Sequence, residues 1–134
     1  MKIFIDANVP MYVAGRDHPH RGPAAQFLTR VRRMEFDVCT SAEVLQEILY
    51  RYSAERRPEL GARLYDEFVL LCPRILDITV ADTDRARTLL LGVPNLSARD
   101  ALHAAVMLNH GIHHIATFDR DFDRIPGIER IELS

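Results

Sequence analysis

The sequence lacks tryptophan, contains only two cysteines and has no apolar stretch long enough to cross a membrane. Cys39 and Cys72 show neither the paired spacing of a zinc site nor the density of a disulfide-rich protein, which favours two buried thiols in a reducing compartment. The apolar run near the amino terminus is broken at Asp6, too early for a signal peptide. We therefore expect a cytoplasmic protein without membrane association.

An excess of positive charge is also missing. The 17 basic and 19 acidic residues give a net charge of −2, so no global positive field attracts nucleic acid. Lys2 is the only lysine, and the other basic residues are arginine, which binds phosphate oxygens through a planar fork and stacks on bases. The codon usage of a GC-rich genome explains this bias more simply, so it supports nucleic-acid binding only weakly. Glycine-rich motifs for dinucleotides or nucleoside triphosphates and the serine-hydrolase motif are absent.

Short apolar segments alternate with amphipathic ones, which predicts an α/β protein with a mainly parallel sheet and helices on both faces. At 134 residues the chain fits one domain, 1–134, with a sizeable core. The predicted strands cover residues 2–6, 36–39, 74–78, 113–117 and 128–133. The predicted helices cover a short segment at Pro10 and residues 24–34, 40–52, 59–71, 80–91 and 97–109, with a loop at 15–23 and a turn or short helix at 119–125.

Four acidic residues occupy positions where strands end and helices begin. Asp6 ends the first predicted strand, Asp119 follows the fourth, and Glu47 and Asp100 are expected in the first turns of two helices. In an alternating α/β chain these positions gather along one edge of the sheet. Carboxylates that meet there repel each other unless a cation lies between them, so the pattern predicts a divalent metal site.

Helix capping offers a structural explanation for some of these acids. Thr40 or Ser41 is expected to cap the helix that carries Glu47. Thr40 and Glu43 have the spacing of a capping box, which would assign Glu43 to the helix start and leave Glu47 near the edge of the apolar stripe, facing a cleft. Ser97 and Asp100 have the same spacing, and for Asp100 the two roles are compatible because a helix N-terminus favours a carboxylate. We therefore choose Glu47 and Asp100 as metal ligands.

The acidic cluster after the fourth strand leaves a choice open. Asp119 is nearest to the strand end and is the preferred ligand, Asp121 is a lesser candidate, and Asp123 is expected in solvent. Phe122 is expected to turn inward as an anchor. The histidines lack helical metal-ligand spacing, although His103 lies one turn after Asp100, where a packed or exposed histidine is the commoner case.

Four segments in this order resemble the acidic motifs of PIN domains. They are Phe4–Val9, Leu45–Tyr50, Arg99–Ala105 and Ile115–Phe122. Together they span essentially the whole chain, and the short single-domain form is most similar to VapC-type toxins of toxin–antitoxin pairs. One departure is Ala7, where many relatives carry serine or threonine.

The resemblance implies a three-layer α/β/α sandwich with a central sheet of four to five strands. It also implies a Mg²⁺-dependent (or Mn²⁺-dependent) endoribonuclease that hydrolyses RNA with a metal-activated water. A homodimer and a cognate VapB-type antitoxin are implied as partners. The expected metal ligands are Asp6, Glu47, Asp100, Asp119 and, as the lesser candidate, Asp121.

Further residues are expected to support this site. Asn8 and Thr117 would orient carboxylates or water, and Arg99 and Arg120 would hold substrate phosphate or simply lie in solvent. The alternative function is a catalytically silent PIN domain that binds RNA or protein. A phosphatase or phospho-acceptor domain is disfavoured because it would need a lysine late in the sheet, and a DNA nuclease of the same fold stays open.

Overall fold

The computed structural model describes residues 1–133 and contains a five-stranded, wholly parallel sheet with strand order β3-β2-β1-β4-β5. The sheet is flanked by helices, which confirms the predicted α/β/α sandwich. Ser134, the last residue of the predicted domain, lies outside the described residues. The strands are β1 (Lys2–Ile5), β2 (Asp37–Ser41), β3 (Arg74–Leu76), β4 (His114–Ala116) and β5 (Glu129–Arg130).

Within the described residues, six α-helices and one 3₁₀ helix connect the strands. The pairs α1 with α2, α3 with α4 and α5 with α6 pack together, and each pair lies between consecutive strands. Their bounds are α1 (Asn8–Ala14), α2 (Arg21–Arg32), α3 (Ala42–Ala54), α4 (Pro58–Leu71), α5 (Val80–Gly92) and α6 (Ala98–Asn109), with the 3₁₀ helix at Arg120–Arg124. No helix among the described residues is long and apolar enough to span a membrane.

The central strand β1 explains the position of the core. Ile3, Phe4 and Ile5 are all fully buried, as expected for a parallel strand covered by helices on both faces. Phe4 lies opposite Cys39 of β2 and Ile115 of β4, so the carboxyl ends of the three strands lie side by side. This register brings the residues after β1 and β4 together.

The structure selects one of the two residues that were expected to cap α3. The residue that caps this helix is Ser41, whose hydroxyl accepts from the amide of Val44, and not Thr40. Thr40 still belongs to β2, and its hydroxyl donates to the carbonyl of Ile5 at 2.9 Å. The predicted capping box between Thr40 and Glu43 is therefore wrong, because the strand continues two residues beyond its expected end.

Other element boundaries moved by a few residues. Helix α2 begins at Arg21, inside the predicted loop, because Pro23 is tolerated in a first helical turn, where its missing N–H leaves no bond unmade. Strand β5 lies at the sheet edge and pairs over only two residues of the predicted strand 128–133. Cys39 and Cys72 are buried free thiols as predicted, and burial raises their pKa to about 11 and about 12.

Candidate metal centre and active site

Asp6 lies at the carboxyl end of β1 and is only 4% exposed. Its Oδ1 accepts from the amide of Ala7 at 2.8 Å, and its Oδ2 accepts from the hydroxyl of Thr117 at 2.8 Å. Burial raises the pKa of Asp6, although the nearby His103 and these hydrogen bonds act in the opposite direction. The carboxyl group is thus held in one orientation in a place that penalises its charge.

The Thr117 hydroxyl connects the end of β1 with the end of β4. It donates to Asp6 and accepts from the side-chain amide of Asn8 at 2.9 Å and from the backbone amide of Asp119 at 3.1 Å. The Asn8 side chain in turn accepts from the amide of Phe118 at 3.3 Å. Asn8 and Thr117, which the sequence suggested as orienting groups, therefore lie against Asp6 and the backbone of Asp119.

Glu47 reaches the same place from α3. It is the sixth residue of this helix and therefore lies in the second turn, not in the first turn that the sequence predicted. Its side chain is mostly buried, and its Oε1 is 3.2 Å from Nε2 of His103. Glu43 lies one turn earlier and approaches Arg99 at 3.5 Å, so the structure places Glu47, and not Glu43, beside Asp6.

Asp100 and Asp119 form the other half of the cluster, together with Asp121. Carboxylate oxygens of these three residues lie within 4.8 Å of one another. Burial raises the pKa of Asp100 to about 7, and the negative charge of Asp119 adds to this effect. Asp121 is the exposed member, and its backbone amide donates to Oδ1 of Asp119 at 2.9 Å, so that the Asp119 carboxylate caps the 3₁₀ helix.

His103 is the residue that the sequence analysis undervalued. It is 1% exposed, and its Nε2 lies 3.2 Å from Glu47 and 3.8 Å from Asp6. Burial opposes a charge on the ring, but the hydrogen bond to Glu47 and the charge of Asp6 raise its pKa overall. Its position one turn after Asp100 in α6 was the available signal, because that spacing puts both side chains on one helix face.

The donor atoms of this cluster suit a hard divalent cation. Mg²⁺ and Mn²⁺ prefer carboxylate oxygens, and two groups of oxygens converge here, one at Asp6 and Glu47 and one at Asp100 and Asp119. His103 fits less well as a ligand. Its Nδ1 is buried without a partner among the described residues, whereas a metal-bound histidine nearly always donates its other N–H to an acceptor. The tautomer with its proton on Nε2 donates that proton to Glu47 and leaves Nδ1 as an acceptor without a partner among the described residues. This arrangement suits a residue that orients Glu47 better than a metal ligand.

One cavity of about 860 Å³ is lined by all four carboxylates, those of Asp6, Glu47, Asp100 and Asp119. Arginine side chains also line it, at positions 16, 51 and 57. Arg99 and Arg120, which the sequence left open between phosphate binding and solvent, do not line this cavity. Arg99 approaches Glu43 and lies over the ring of Tyr50, and Arg120 lines a neighbouring cavity.

Comparison with known proteins gives consistent results over nearly the whole chain. The family model of the PIN domain matches residues 3–128. The chain is 43% identical to the VapC ribonuclease Mb1869c of Mycobacterium bovis over 129 residues, which cover 96% of this chain and 98% of the relative. It is 42% identical to ribonuclease VapC23 of Mycobacterium tuberculosis over 118 residues, or 87% and 92% of the two chains.

Solved structures share the fold. The crystal structure of VapBC2 from Rickettsia felis, bound to a DNA fragment from its promoter, contains a chain with a TM-score of 0.75 and 19% identity, covering 98% of both chains. The sarcin–ricin-loop-cleaving toxin VapC20 of Mycobacterium tuberculosis matches with a TM-score of 0.72 and 22% identity, covering 90% of this chain and 92% of the toxin. At these identities the likeness concerns the arrangement of helices and strands.

Proposed function

The chain belongs to the PIN domain family, and from this premise we propose that it is a metal-dependent endoribonuclease, the toxin of a VapBC-type toxin–antitoxin pair. The observation that carries the proposal is the convergence of Asp6, Glu47, Asp100 and Asp119 on one cavity. The relatives at 42% and 43% identity bear the names of VapC ribonucleases, which supports RNA as the substrate. A cognate VapB-type antitoxin and a homodimer belong to the same proposal, as does a single PIN domain over residues 1–134.

The four carboxylates would hold Mg²⁺ or Mn²⁺, with Asp121 as a further ligand at the exposed side. A bound divalent cation supplies a water of lowered pKa and neutralises the charge that builds up on the phosphoryl oxygens. The chain's own residues prepare this site. Thr117 and Asn8 fix the orientation of Asp6, and the contact with His103 fixes Glu47.

The substrate backbone would meet arginine at the rim of the cavity. Arg16, Arg51 and Arg57 line the cavity that has the carboxylates at its base, so phosphates that flank the scissile bond can be bound there without entering the acidic centre. In-line attack by water with the 3′-oxygen as the leaving group leaves 5′-phosphate and 3′-hydroxyl ends, whereas attack by the ribose 2′-hydroxyl expels the 5′-oxygen and leaves a cyclic phosphate. We expect the former ends.

The test is cleavage of a pool of structured RNAs by purified, antitoxin-free protein with Mg²⁺, with Mn²⁺ and with EDTA. Asp6→Asn keeps the size of the side chain and removes the charge, so it should abolish cleavage without unfolding the protein. Asp37→Asn is the matched control, because Asp37 is exposed at the opposite end of the neighbouring strand. Discrete cuts by the wild type and Asp37→Asn that disappear with EDTA and in Asp6→Asn are the expected result.

A second matched pair tests the choice between the two glutamates of α3. Glu47→Gln should lower cleavage by at least about 100-fold if this carboxylate holds the cation, whereas Glu43→Gln should leave cleavage within about threefold of wild type. Full activity of purified Asp6→Asn or Glu47→Gln would refute the site assignment. RNA binding without cleavage by any form of the protein would instead favour the catalytically silent alternative.

A further inference from the structure

A second cavity, of about 530 Å³, lies beside the carboxylate cluster. The segment after β4 separates the two cavities: Asp119 lines the larger one, whereas Thr117, Phe118 and Arg120 line the smaller one. The proposed hydrolysis uses no residue that belongs only to the smaller cavity. Its size is within the range of small-ligand sites, about 300–1,000 Å³.

One wall of this cavity is aromatic. The imidazole of His20 is stacked on the ring of Phe118, with centroids 4.1 Å apart and an angle of 14° between the planes. Tyr12 supports this pair from the side of the larger cavity, with its ring edge-on to Phe118 at 5.3 Å and to His20 at 5.0 Å. All three rings are partly exposed, so solvent reaches the His20–Phe118 pair. The exposed ring of His18 also packs against His20, with centroids 4.8 Å apart.

The rest of the lining combines apolar and charged side chains, including the carboxylates of Asp123 and Glu132. Ile131 and Leu133 line the cavity and are partly buried against the core. Arg130 also lines it, but its guanidinium is occupied by Asp123 at 2.8 and 2.9 Å. Arg120 forms no ion pair within the part of the chain that the structure describes, so its charge is available to a ligand.

We propose that this cavity binds one unpaired nucleotide of the RNA strand, the one next to the scissile phosphate, with its base against the His20–Phe118 pair and its phosphate at Arg120. An aromatic surface, apolar side chains and an available guanidinium match the base and the phosphate of a nucleotide. The position follows from the chain itself, because Phe118 lies between Thr117, which holds Asp6, and Asp119. The proposal rests on the proposed ribonuclease function and extends it to the recognition of single-stranded RNA.

The test measures binding in EDTA, so that cleavage and metal have no part in it. Fluorescence anisotropy compares a labelled six-nucleotide oligoadenylate with the same ribose-phosphate backbone without bases, for wild type and for His20→Ala. Stacking of a base on an aromatic side chain changes affinity by about 5- to 150-fold. For each protein, the Kd of the oligomer without bases is divided by the Kd of the oligomer with bases. This ratio should be larger for wild type than for His20→Ala by a factor in this range.

Two further variants separate stacking from folding. His20→Phe keeps a ring and should retain the wild-type preference, and its binding shows that position 20 tolerates substitution. His113→Ala removes an exposed histidine that precedes β4, at the far end of the sheet, and should bind like wild type. With an RNA that the protein cuts, His20→Ala should raise KM by about the same factor as it weakens binding, with kcat within about threefold of wild type.

The outcomes distinguish this proposal from the ribonuclease assignment. Base-dependent binding that His20→Ala weakens supports the nucleotide site even if no RNA is cut. An equal preference for bases in wild type and His20→Ala overturns the site even if cleavage is robust. Unchanged RNA binding by His20→Ala, together with loss of its complex with a co-expressed antitoxin, would also overturn it, because the cavity would then bind protein.

Discussion

Replacement of Thr117 by valine tests the most central hydrogen bond of the site. The substitution keeps the shape of the side chain and removes a hydroxyl that donates to Asp6 and accepts from Asn8 and from the amide of Asp119. A hydrogen bond to a charged group contributes about 1.5–3 kcal/mol. Loss of a group that orients a metal ligand typically lowers metal affinity by about 10- to 100-fold. Because the Thr117 hydrogen bond lowers the pKa of Asp6, its loss also favours the protonated, non-ligating form.

The assay is titration of purified protein with Mn²⁺ by isothermal calorimetry, with urea unfolding in parallel. We expect Mn²⁺ to bind Thr117→Val about 10- to 100-fold more weakly than wild type, and cleavage to fall with it. Thr117→Ser keeps the hydroxyl and should restore most of the affinity.

Thr40→Val is the matched control for this experiment. Thr40 is also a buried threonine near a strand end, but its hydroxyl donates to the Ile5 carbonyl and forms no hydrogen bond with a carboxylate of the described residues. Both valine variants should lose stability, by about 1–3 kcal/mol for an unsatisfied buried partner. Only Thr117→Val should lose Mn²⁺ affinity. Equal Mn²⁺ affinity in wild type and Thr117→Val would refute the orienting role. Equal losses of Mn²⁺ affinity in Thr117→Val and Thr40→Val would show that the effect comes from a general disturbance of the fold.

Three further predictions concern other parts of the site and core. The pKa of Asp100, raised to about 7 by burial and by Asp119, means that this carboxyl must lose a proton to bind a cation. Mn²⁺ affinity should therefore rise between about pH 6 and pH 8 with proton release. The metal-free protein should lose stability as pH rises from the ordinary carboxyl pKa of 3.8 to about 7, because in this range Asp100 keeps its proton only in the folded state. His103→Gln, which can still donate to Glu47, should retain more activity than His103→Leu at equal urea stability; equal activities would argue against positioning. Phe122→Ala, at a fully buried site, should cost about 3–5 kcal/mol in urea unfolding, and a loss below about 1 kcal/mol would show that Phe122 is not an anchor.

The sequence alone determined the architecture because local patterns encode it. The run Ile3–Ile5 is uninterrupted and apolar, as a central parallel strand requires, and the stripe on α3 repeats at helical spacing. Asp6 and Asp119 were found because a parallel sheet places the residues after its strands along one edge. The boundaries were less certain, as Thr40 shows: a threonine before a helix suits a cap and a strand equally well.

The tertiary structure decided which side chains meet. The bond between Thr117 and Asp6 joins residues 111 positions apart, and the contact between His103 and Glu47 joins residues 56 positions apart. Periodicity describes one helix or strand at a time and carries no information on which side chain of α6 reaches which side chain of α3. The same holds for the second cavity, whose lining comes from the start of α2, the segment after β4 and the segment after β5. Local physics fixes the elements, whereas the distances between their side chains depend on how the helices pack on the sheet.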